Sequence, residues 1–409
     1  MQVIRLTYEQ YDYYAKIHSK RSYYHTTDYI KLFDSNNIIY VGLVDDNNNL
    51  YASSALVIYD LKMGYKYAYA PRGFLIDYDN RDLLREFTTS LKLFLKKENI
   101  VFVKLDPIIY YHVYDRVGNL ISSDNEVMSY LTSLDYVHLG FNENFEANKS
   151  RYEVILHADN IESAYKNISR NAKRSIKDSS MMGISIHKGD ISNIELFYNL
   201  VKKKTNKSIA YYKKVLSNPN ASLYFAKIDG RVYMDNYRYL MDREFKINTD
   251  VNSRIQSNKF KNSNKLISKK IDSDRKLEIY NKHIITSTKI YKDYPNGLVI
   301  GTCLIVRNDR ELWFLIDGYE EKLRNIYSSY LLKWEVIKKY IEDGVHTFNF
   351  GEISGNISKD NNKYYGIYFS KTSFGGNIYE YPGEFDLVVN KGIYNLFYNV
   401  MHYSNKINR

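Results

Sequence analysis

The chain has 409 residues, a net charge of +11 and a pI of about 9.1, and 44% of its residues are hydrophobic. This length exceeds what one hydrophobic core usually serves, so two domains are expected. The single cysteine, Cys303, excludes an intramolecular disulfide, and the longest apolar stretch, GLVIGTCLIV, is far shorter than the ~20 residues of a membrane-spanning helix.

Residues 38–105 predict three strands, a helix and a further strand. The runs IIYVGLV, SALVIYD and YKYAYA are separated by polar turns, which favours antiparallel strands. The segment NRDLLREFTTSLKLFLKKEN then places leucine and phenylalanine at helical intervals, with Asn80 as a candidate N-cap and lysines near the C-terminal end. The run IVFVKLDP predicts a buried strand that Pro107 ends.

The order of these elements recurs in residues 312–352. There LWFLI predicts a strand, DGYEEKLRN a polar connection, IYSSYLLKWEVIKKYIEDG an amphipathic helix and HTFNFGE another strand. A shift of 246 residues places the two series on each other and puts Asp106 on Glu352. This half-chain repeat predicts two domains of the same fold.

Two basic segments lie between the repeats. Residues 160–183 predict a basic helix that Gly183 ends, and residues 194–216 predict a second helix. Residues 200–214 contain six lysines and no acidic residue. Such a run is either a solvated helix face or a phosphate-binding surface, and the residues alone favour neither.

Residues 235–292 contain no glycine or proline and carry 14 lysines and arginines against 7 acidic residues. Apolar residues recur there at intervals of four and seven, which favours two long helices folded into an antiparallel coiled-coil arm. A disordered linker is the alternative, because the apolar content is low.

The basic charge favours polyanionic partners, such as nucleic acid, nucleotide diphosphates or an anionic membrane surface. The abundance of Lys, Asn, Ile and Tyr is also typical of proteins from AT-rich genomes, and this compositional explanation stays open. The opening segment, MQVIRLTYEQYDYYAK, lacks the pattern of a secretion signal, so a cytoplasmic location is expected.

Several segments together resemble the Fem/MurM (FemABX) family of tRNA-dependent aminoacyltransferases, which build the peptide branches of peptidoglycan. The resemblance is carried by YAYAPRGFLIDYDNRDLL, VFVKLDP, YLLKWEVIKKYIEDGVHTFNFGEISG and, most clearly, GIYFSKTSFGGNIYEYPGEFD. It implies an α+β fold of two tandem GNAT-like domains, with mixed, largely antiparallel sheets flanked by helices and an inserted coiled-coil arm. The repeat described above agrees with that fold.

The resemblance also sets the expected domains and reaction. We expect residues 1–150 to form the first domain and residues 151–384 the second, with the arm at 235–292. A C-terminal helix at 385–409 is expected to pack back on the first domain. The implied reaction transfers an amino acid from aminoacyl-tRNA to the amine of a peptidoglycan precursor by direct aminolysis of the ester.

The family motif Phe-Lys-Lys-Gly-Phe corresponds here to a segment in which only the first lysine, Lys371, is present. The resemblance assigns this lysine to stabilising the oxyanion that forms when an amine attacks the aminoacyl ester. A fixed cation in a water-poor site lowers such a barrier by ~3–4 kcal/mol. Ser370 replaces the family phenylalanine and Thr372 the second lysine. The alternative is a solvated lysine that follows a strand-like run.

Further site residues follow from the same resemblance. Asp106 matches a strand-end Asp-Pro and is the candidate acceptor of a proton from the attacking ammonium, although strand-end carboxylates often serve only turns. Lys207 and Tyr211 are the nearest match to an Arg-x-x-x-Tyr that binds the pyrophosphate of the acceptor. Arg174 lies where the family often has a basic residue. The last two members of the expected substrate-binding set are Phe374 and Gly375.

Two other functions stay open. An acyl-CoA-dependent GNAT enzyme needs a Gly-rich pyrophosphate loop, and the acidic segments FLIDYDN and IDGYEEKLRN at the matching positions disfavour it. A non-catalytic RNA-binding protein would explain the charge but not the Lys371 segment. No metal-ligand spacing, Walker motif or Gly-x-Ser-x-Gly occurs, so neither a cofactor nor a metal is expected. The expected partners are aminoacyl-tRNA, a lipid-linked or UDP-linked peptidoglycan precursor and, peripherally, the inner face of the membrane.

Overall fold

The computed structural model describes residues 1–33, 37–257, 263–356 and 362–398. Contacts within the chain divide it into two compact units. Unit 1 comprises Met1–Ala158, Val306–Trp313 and His346–Arg409, and unit 2 comprises Asp159–Ile305 and Phe314–Val345.

Strands and helices alternate along the chain. The strands are β1 (Gln2–Arg5), β2 (Ile38–Val44), β3 (Leu50–Asp60), β4 (Lys66–Ala70), β5 (Ile100–Leu105), β6 (His112–Tyr114), β7 (Leu120–Ser123), β8 (Tyr136–His138), β9 (Tyr152–His157), β10 (Ile184–Gly189), β11 (Ala221–Ile228), β12 (Leu298–Asn308), β13 (Glu311–Tyr319), β14 (Thr347–Ile353), β15 (Asn377–Glu380) and β16 (Phe385–Val388). The helices are α1 (Tyr8–Ile17), α2 (Thr27–Ile30), α3 (Arg81–Lys97), α4 (Glu126–Ser133), α5 (Ile161–Asn167), α6 (Arg170–Met181), α7 (Ile194–Val201), α8 (Ile209–Leu216), α9 (Gly230–Gln256), α10 (Ser263–Asp293), α11 (Ser328–Glu342) and α12 (Tyr365–Thr372), with a further helical segment at 391–398.

Unit 1 contains a seven-stranded sheet with the order β1-β2-β3-β4-β5-β16-β8. Its neighbouring strands are antiparallel except β4 and β5, which are parallel. Parallel neighbours need a crossover, and α3 supplies it. The Asn80 side chain accepts a hydrogen bond from the Leu83 amide and caps α3, while Leu84, Phe87 and Leu91 bury its apolar face. The three strands, the helix and the following strand are confirmed.

The remaining strands of unit 1 lie in the order β14-β9-β15-β6-β7, and these neighbours are all antiparallel. The first residues of β13 pair with β14 in parallel. The register between β14 and β9 shifts between Asn349 and Glu352, so β14 carries a bulge there. A bulge bends its strand and redirects side chains and carbonyl groups.

In unit 2, β10 and β11 form an antiparallel pair, and β12 lies next to β11. Both basic segments of unit 2 form two helices each, so the expectation of one helix per segment was wrong. After the break between α5 and α6, Ser169 caps the start of α6, because its side chain accepts a hydrogen bond from the Ala172 amide. Ser208 caps α8 in the same way, through the Tyr211 amide. Serine side chains compete for backbone donors and so favour such starts over helix interiors.

Helices α9 and α10 form the expected antiparallel arm. Their contacts run in opposite directions along the two helices: Gly230 lies against Tyr291, the Tyr233 hydroxyl lies 2.6 Å from Nδ1 of His283, and Asn248 donates to Asp274 at 2.8 Å. A Cβ on Gly230 would lie 2.5 Å from the Tyr291 amide nitrogen, so glycine permits the close approach at the base. The arm begins five residues before the predicted start, and residues 258–262 lie outside the described residues.

The half-chain repeat is visible in the topology. In each series a strand is followed by a helix and then by a strand parallel to the first, β4-α3-β5 and β13-α11-β14. Together with the mixed, largely antiparallel sheets, this pattern confirms the α+β class.

The C-terminal segment differs from the expected helix at 385–409. Residues Phe385–Val388 form β16, which pairs with β5 and β8 in the seven-stranded sheet. All four residues of this strand are buried, as expected for a strand covered on both faces. Helix occurs only at 391–398, and residues 399–409 lie outside the described residues.

Candidate functional site

Lys371 lies in the last turn of α12, half-buried within unit 1. The interpretation of its surroundings as strand-like was wrong. Tyr368 and Thr372 are the buried residues of the helix, and a spacing of four places them on one helical face. The Lys371 Nζ donates a hydrogen bond to the backbone carbonyl of Glu352 at 2.7 Å. The ammonium is therefore held by the backbone of β14.

Ser370 and Thr372, the two residues that depart from the family motif, each form a hydroxyl hydrogen bond within α12. The Thr372 hydroxyl donates to the Tyr368 carbonyl at 2.9 Å, and the Ser370 hydroxyl donates to the Ile367 carbonyl at 3.0 Å. Such bonds to a carbonyl one turn earlier let serine and threonine occupy a helix. The helix thus accommodates both substitutions and keeps Lys371 in place.

A turn follows α12 and packs into unit 1. Phe374 is buried, and its ring stacks on Phe350 with 5.3 Å between the centroids. Gly375 has a φ of +91°, a conformation that favours glycine. A Cβ on Gly376 would lie 2.9 Å from the Ile155 carbonyl carbon, so this glycine lets the turn approach β9.

Glu352, at the bulge of β14, contacts two lysines. Its carbonyl accepts from Lys371, and its carboxylate Oε1 lies 3.2 Å from Nζ of Lys149. Burial alone would raise the pKa of Glu352, but the charges of Lys149 and Arg72 outweigh burial and lower it. Glu352 is therefore ionised and paired.

Arg72 is a deeply buried charge of unit 1, at 1% exposure. Its Nη2 donates to Glu153 at 2.5 Å, and its Nη1 lies 3.8 Å from a carboxylate oxygen of Asp106. Its guanidinium carbon lies 5.1 Å from the ring centroid of Tyr24 and 5.0 Å from that of Tyr381. Burial alone would lower the pKa of Arg72, but Glu153 and Asp106 outweigh burial and raise it. The arginine stays charged.

Asp106 follows β5 and is 2% exposed. Its Oδ1 accepts from the Arg72 amide at 2.8 Å and from the Tyr69 hydroxyl at 3.1 Å. Burial raises the pKa of Asp106 to about 7, against the opposing effect of the Arg72 charge, and the nearby Glu384 carboxylate raises it further. A carboxyl group with this pKa exchanges its proton near neutral pH.

A cavity of about 370 Å³ lies beside Arg72 in unit 1. The loops after β4 and β5 form part of its wall, together with the segment around Ser22 and residues of β13 and β14. Arg72, Asn349 and Tyr381 line it, as do Trp313 and Glu311. Burial raises the pKa of Glu311 to about 7. The volume lies within the range typical of small-molecule pockets, ~300–1,000 Å³.

The other predicted site residues belong to unit 2. Lys207 precedes α8, and its Nζ lies 5.1 Å from the ring centroid of Tyr211. Arg174 lies on α6 with 84% of its side chain exposed and pairs with Asp178 at 3.5 Å. Lys207 is also exposed, so both cations are accessible to a dissolved anion.

The structure thus places Lys371, Phe374 and Gly375 on one segment of unit 1. Asp106 lies in the same unit, where its carboxylate pairs with Arg72. Sequence reasoning did not predict that Arg72, Glu153, Lys149 and Glu352 are part of the candidate site in unit 1. Arg72 and Glu153 carry a usable signal, because each is a charged residue within an apolar strand context, in YAYAPRGF and YEVILH. Within the described ranges, no group of three or more His, Cys, Asp or Glu side chains is arranged to hold a metal ion.

Comparison with known proteins identifies the family. The chain matches the FemAB family over residues 6–402. The chain belongs to the FemAB family. The resemblance inferred from the motifs is confirmed.

Curated relatives of this FemAB protein include the aminoacyltransferase FemA of Staphylococcus epidermidis, 25% identical over 374 residues that cover 87% of this chain and 88% of the relative. The aminoacyltransferase FemA of Staphylococcus aureus strain N315 is 23% identical over 394 residues, 89% of each chain. A crystal structure of FemX matches with a TM-score of 0.73 at 18% identity, over 97% of this chain and 99% of FemX. The chain therefore shares the fold of FemX over nearly its whole length.

Across the described residues of this FemAB protein, no helix combines the length and apolar character that crossing a membrane requires.

A stability prediction follows from the buried charges of Arg72, Glu153 and Asp106. Arg72→Met should lower the free energy of unfolding by ~3–5 kcal/mol, because it leaves Glu153 and Asp106 buried without their cation. Chemical denaturation followed by circular dichroism measures this loss. Arg85→Met, which removes an exposed arginine that pairs with Asp82, should change the stability little. Equal stability of the two variants would contradict the prediction.

Proposed function

We propose that this FemAB protein transfers an amino acid from aminoacyl-tRNA to the amine of a peptidoglycan precursor. Its FemA relatives are named aminoacyltransferases, which supports this class of reaction. The observation in unit 1 that carries the proposal is the Lys371 ammonium, half-buried and bonded to the neutral carbonyl of Glu352. A cation held in place by a backbone carbonyl can stabilise negative charge that develops beside it.

The chemistry is aminolysis of an ester. The neutral amine of the acceptor attacks the ester carbonyl, and a tetrahedral intermediate forms with a negative charge on the former carbonyl oxygen. Lys371 stabilises this oxyanion. The intermediate collapses as the bond to the ribose oxygen breaks, so that an amide forms and the tRNA hydroxyl leaves. The net proton balance is one proton lost by the amine and one gained by the leaving oxygen, so no covalent enzyme intermediate is needed.

Asp106 is proposed to accept the proton that the attacking nitrogen loses as the amide forms. A general base works best when its pKa lies near the working pH, and burial raises the pKa of Asp106 to about 7. Its hydrogen bonds to Tyr69 and to the Arg72 amide orient the carboxylate.

Acceptor-binding residues are proposed in each unit separately. In unit 1, the cavity beside Arg72 is of a size to receive part of the precursor's stem peptide. In unit 2, Lys207 and Tyr211, with Arg174, are proposed to bind its pyrophosphate. Phe374 and Gly375 are proposed to shape the pocket on the ester side of Lys371.

The remaining partners are proposed from charge. The arm carries a net excess of basic residues, which fits contact with tRNA phosphates or with an anionic membrane surface.

A transfer assay with several aminoacyl-tRNAs and both lipid-linked and UDP-linked precursors tests the function. Transfer from acetyl-CoA, or RNA binding without any transfer, would contradict it.

The first functional prediction concerns Lys371. Lys371→Met should lower kcat by ~100-fold or more with little change in either KM, because the lost interaction exists only in the transition state. Arginine should restore little activity, since its planar group does not reproduce a compact ammonium. Single-turnover kinetics measure the effect, with Lys363→Met as the matched control for an exposed lysine next to the same helix. A Lys371→Met variant that keeps more than about a third of the wild-type kcat would remove the catalytic role.

The second prediction concerns the pH dependence. Only the ionised form of Asp106 accepts a proton, so kcat should fall as the pH drops through about 7. Asp106→Asn should lower kcat by ~100-fold or more and abolish this acidic limb. Tyr69→Phe removes a hydrogen bond that lowers the pKa of Asp106, so it should move the limb to higher pH. If Asp106→Asn keeps both the rate and the limb, Asp106 is a structural turn residue.

The third prediction concerns the pyrophosphate. Lys207→Ala should raise the acceptor KM by ~10-fold, the effect of losing one charge-assisted contact, and leave the tRNA KM nearly unchanged. Steady-state kinetics with each substrate varied separately measure the two constants. Lys213→Ala, an exposed lysine on the neighbouring helix α8, is the control. A rise in the tRNA KM alone would place tRNA at Lys207 instead.

A further inference from the structure

We propose that Glu311 binds the side-chain ammonium of the acceptor's stem peptide inside the cavity of unit 1. The proposal rests on the aminoacyl transfer proposed above and names the part of the precursor that this cavity takes. The ammonium is the charged form of the amine that the reaction acylates. Glu311 is thus a specificity-determining residue, which selects acceptors with a free amine on a lysine-like side chain.

The Glu311 carboxylate is held at the cavity wall by its own strand. Glu311 is the first residue of β13 and is half-buried, and both it and Trp313 line the cavity. Residues two apart in a strand lie on the same face, and here Trp313 Nε1 donates to the Glu311 carboxylate at 3.2 Å. Trp313 is itself buried, with its ring centroid 5.0 Å from that of Tyr24. In the described part of the chain this is the one hydrogen bond that the carboxylate accepts, so it keeps capacity for a ligand donor.

Each of the three basic residues that line the cavity is paired with another carboxylate. The pairs are Lys20 with Asp79, Arg21 with Asp309, and Arg72 with Glu153. No basic side chain of the described residues forms an ion pair with Glu311. Arg21 attracts its charge from beyond ion-pair distance, whereas Asp309 repels it. A cation that enters the cavity therefore meets a carboxylate that still lacks a counter-ion.

A buried hydroxyl adds a second acceptor to the wall. Ser22 and His25 line the cavity, and both are buried. Burial lowers the pKa of His25 to about 4, so its imidazole is neutral and carries a single N–H. That N–H is on Nε2, because Nε2 lies 3.3 Å from the Arg72 carbonyl, which can only accept. Nδ1 therefore accepts from the Ser22 hydroxyl at 3.0 Å, which leaves the Ser22 oxygen as an acceptor for a ligand.

Aromatic rings form another part of the wall. Tyr110, Tyr381 and Trp313 line the cavity, and the ring centroids of the two tyrosines lie 6.1 Å apart. The methylene groups of a lysine-like side chain pack well against such rings, and the ring faces attract an ammonium. A carboxylate, a hydroxyl oxygen and aromatic faces in one cavity are together complementary to an alkylammonium.

A binding measurement tests this role without any transfer reaction. Glu311→Gln should weaken binding of a UDP-linked precursor with a lysine acceptor by ~10-fold or more, because a charge-assisted hydrogen bond is lost. Acetylation of the lysine amine removes the same interaction from the ligand side. The acetylated precursor should therefore bind the wild type more weakly, and Glu311→Gln should change its affinity little. Titration calorimetry measures the four dissociation constants.

Proton release gives a second readout. Burial raises the pKa of Glu311 to about 7 in the free protein, while the lysine amine, with a pKa of ~10.4, stays charged. An ammonium beside Glu311 favours its ionised form, so binding at pH 7 should release roughly half a proton from it. Asp106 also titrates near this pH in both proteins, so the difference between wild type and Glu311→Gln reports on Glu311. Calorimetry in two buffers of different ionisation enthalpy measures the release.

Glu9→Gln, which changes an exposed glutamate on α1 of the same unit, is the control and should leave the affinities unchanged. Glutamine at 311 keeps an oxygen for the Trp313 bond. Because the raised pKa means that an ionised Glu311 costs stability above pH 7, Glu311→Gln should not lower the unfolding temperature at pH 8.

Two results would overturn the role of Glu311. One is a wild type that binds the lysine and acetyl-lysine precursors equally, or binds neither. The other is a Glu311→Gln variant that binds both precursors and releases protons as the wild type does. A wild-type chain with the predicted binding pattern but no transfer from any aminoacyl-tRNA would instead contradict the proposed function and leave the ammonium site in place.

Discussion

The ion pair between Arg72 and Glu153 lies where neither side chain reaches water, at 1% and 0% exposure. Removing two such charges from water costs several kcal/mol for each ion unless close pairing and further hydrogen bonds offset the loss. The neighbouring side chains meet this requirement for the Glu153 carboxylate, whereas the buried Nε of Arg72 has no hydrogen-bond partner in the described part of the chain. The hydroxyl of Tyr381 and the amide of Asn349 donate to Glu153 at 3.0 and 2.8 Å, and the Tyr24 ring faces the guanidinium. This part of unit 1 is therefore fixed by the need to keep a buried cation and its counter-ion satisfied.

The same requirement extends to the region of Lys371. Asn349 donates to Glu153 through its amide nitrogen and accepts from the Gly351 amide through its oxygen, so one side chain joins the ion pair to the bulge of β14. The bulge presents the carbonyl that accepts from Lys371. Tyr24 lies near Arg72 on one hand and near the Lys149 ammonium on the other. A change in the ion pair would thus be transmitted to Lys371 through short, directly bonded steps.

The sequence predicts what depends on local pattern. Apolar alternation and helical spacing predict strands β2 to β5 and helix α3 close to where the structure has them, because these elements bury one continuous face. Two kinds of feature escape such reasoning. Serine caps at Ser169 and Ser208 divide helices whose side-chain composition suits a single helix. The approach of Lys149 to Glu352 joins residues about two hundred positions apart, and only the folded sheet brings them together. The Lys371 segment illustrates both limits, since its motif identifies the family while its helical conformation depends on burial of Tyr368 and Thr372.

The repeat gives a further view of the site, because it equates Asp106 with Glu352, each near the end of a strand of unit 1 that pairs in parallel with its partner. Their surroundings separate them. Burial raises the pKa of Asp106 to about 7, whereas the charges of Lys149 and Arg72 outweigh burial at Glu352 and lower its pKa. Two carboxylates whose environments push their pKa values apart can divide the work of a site. Asp106 has the properties of a group that exchanges a proton near neutral pH. Glu352 has those of an ionised carboxylate, paired with Lys149 through its side chain and bonded to Lys371 through its carbonyl.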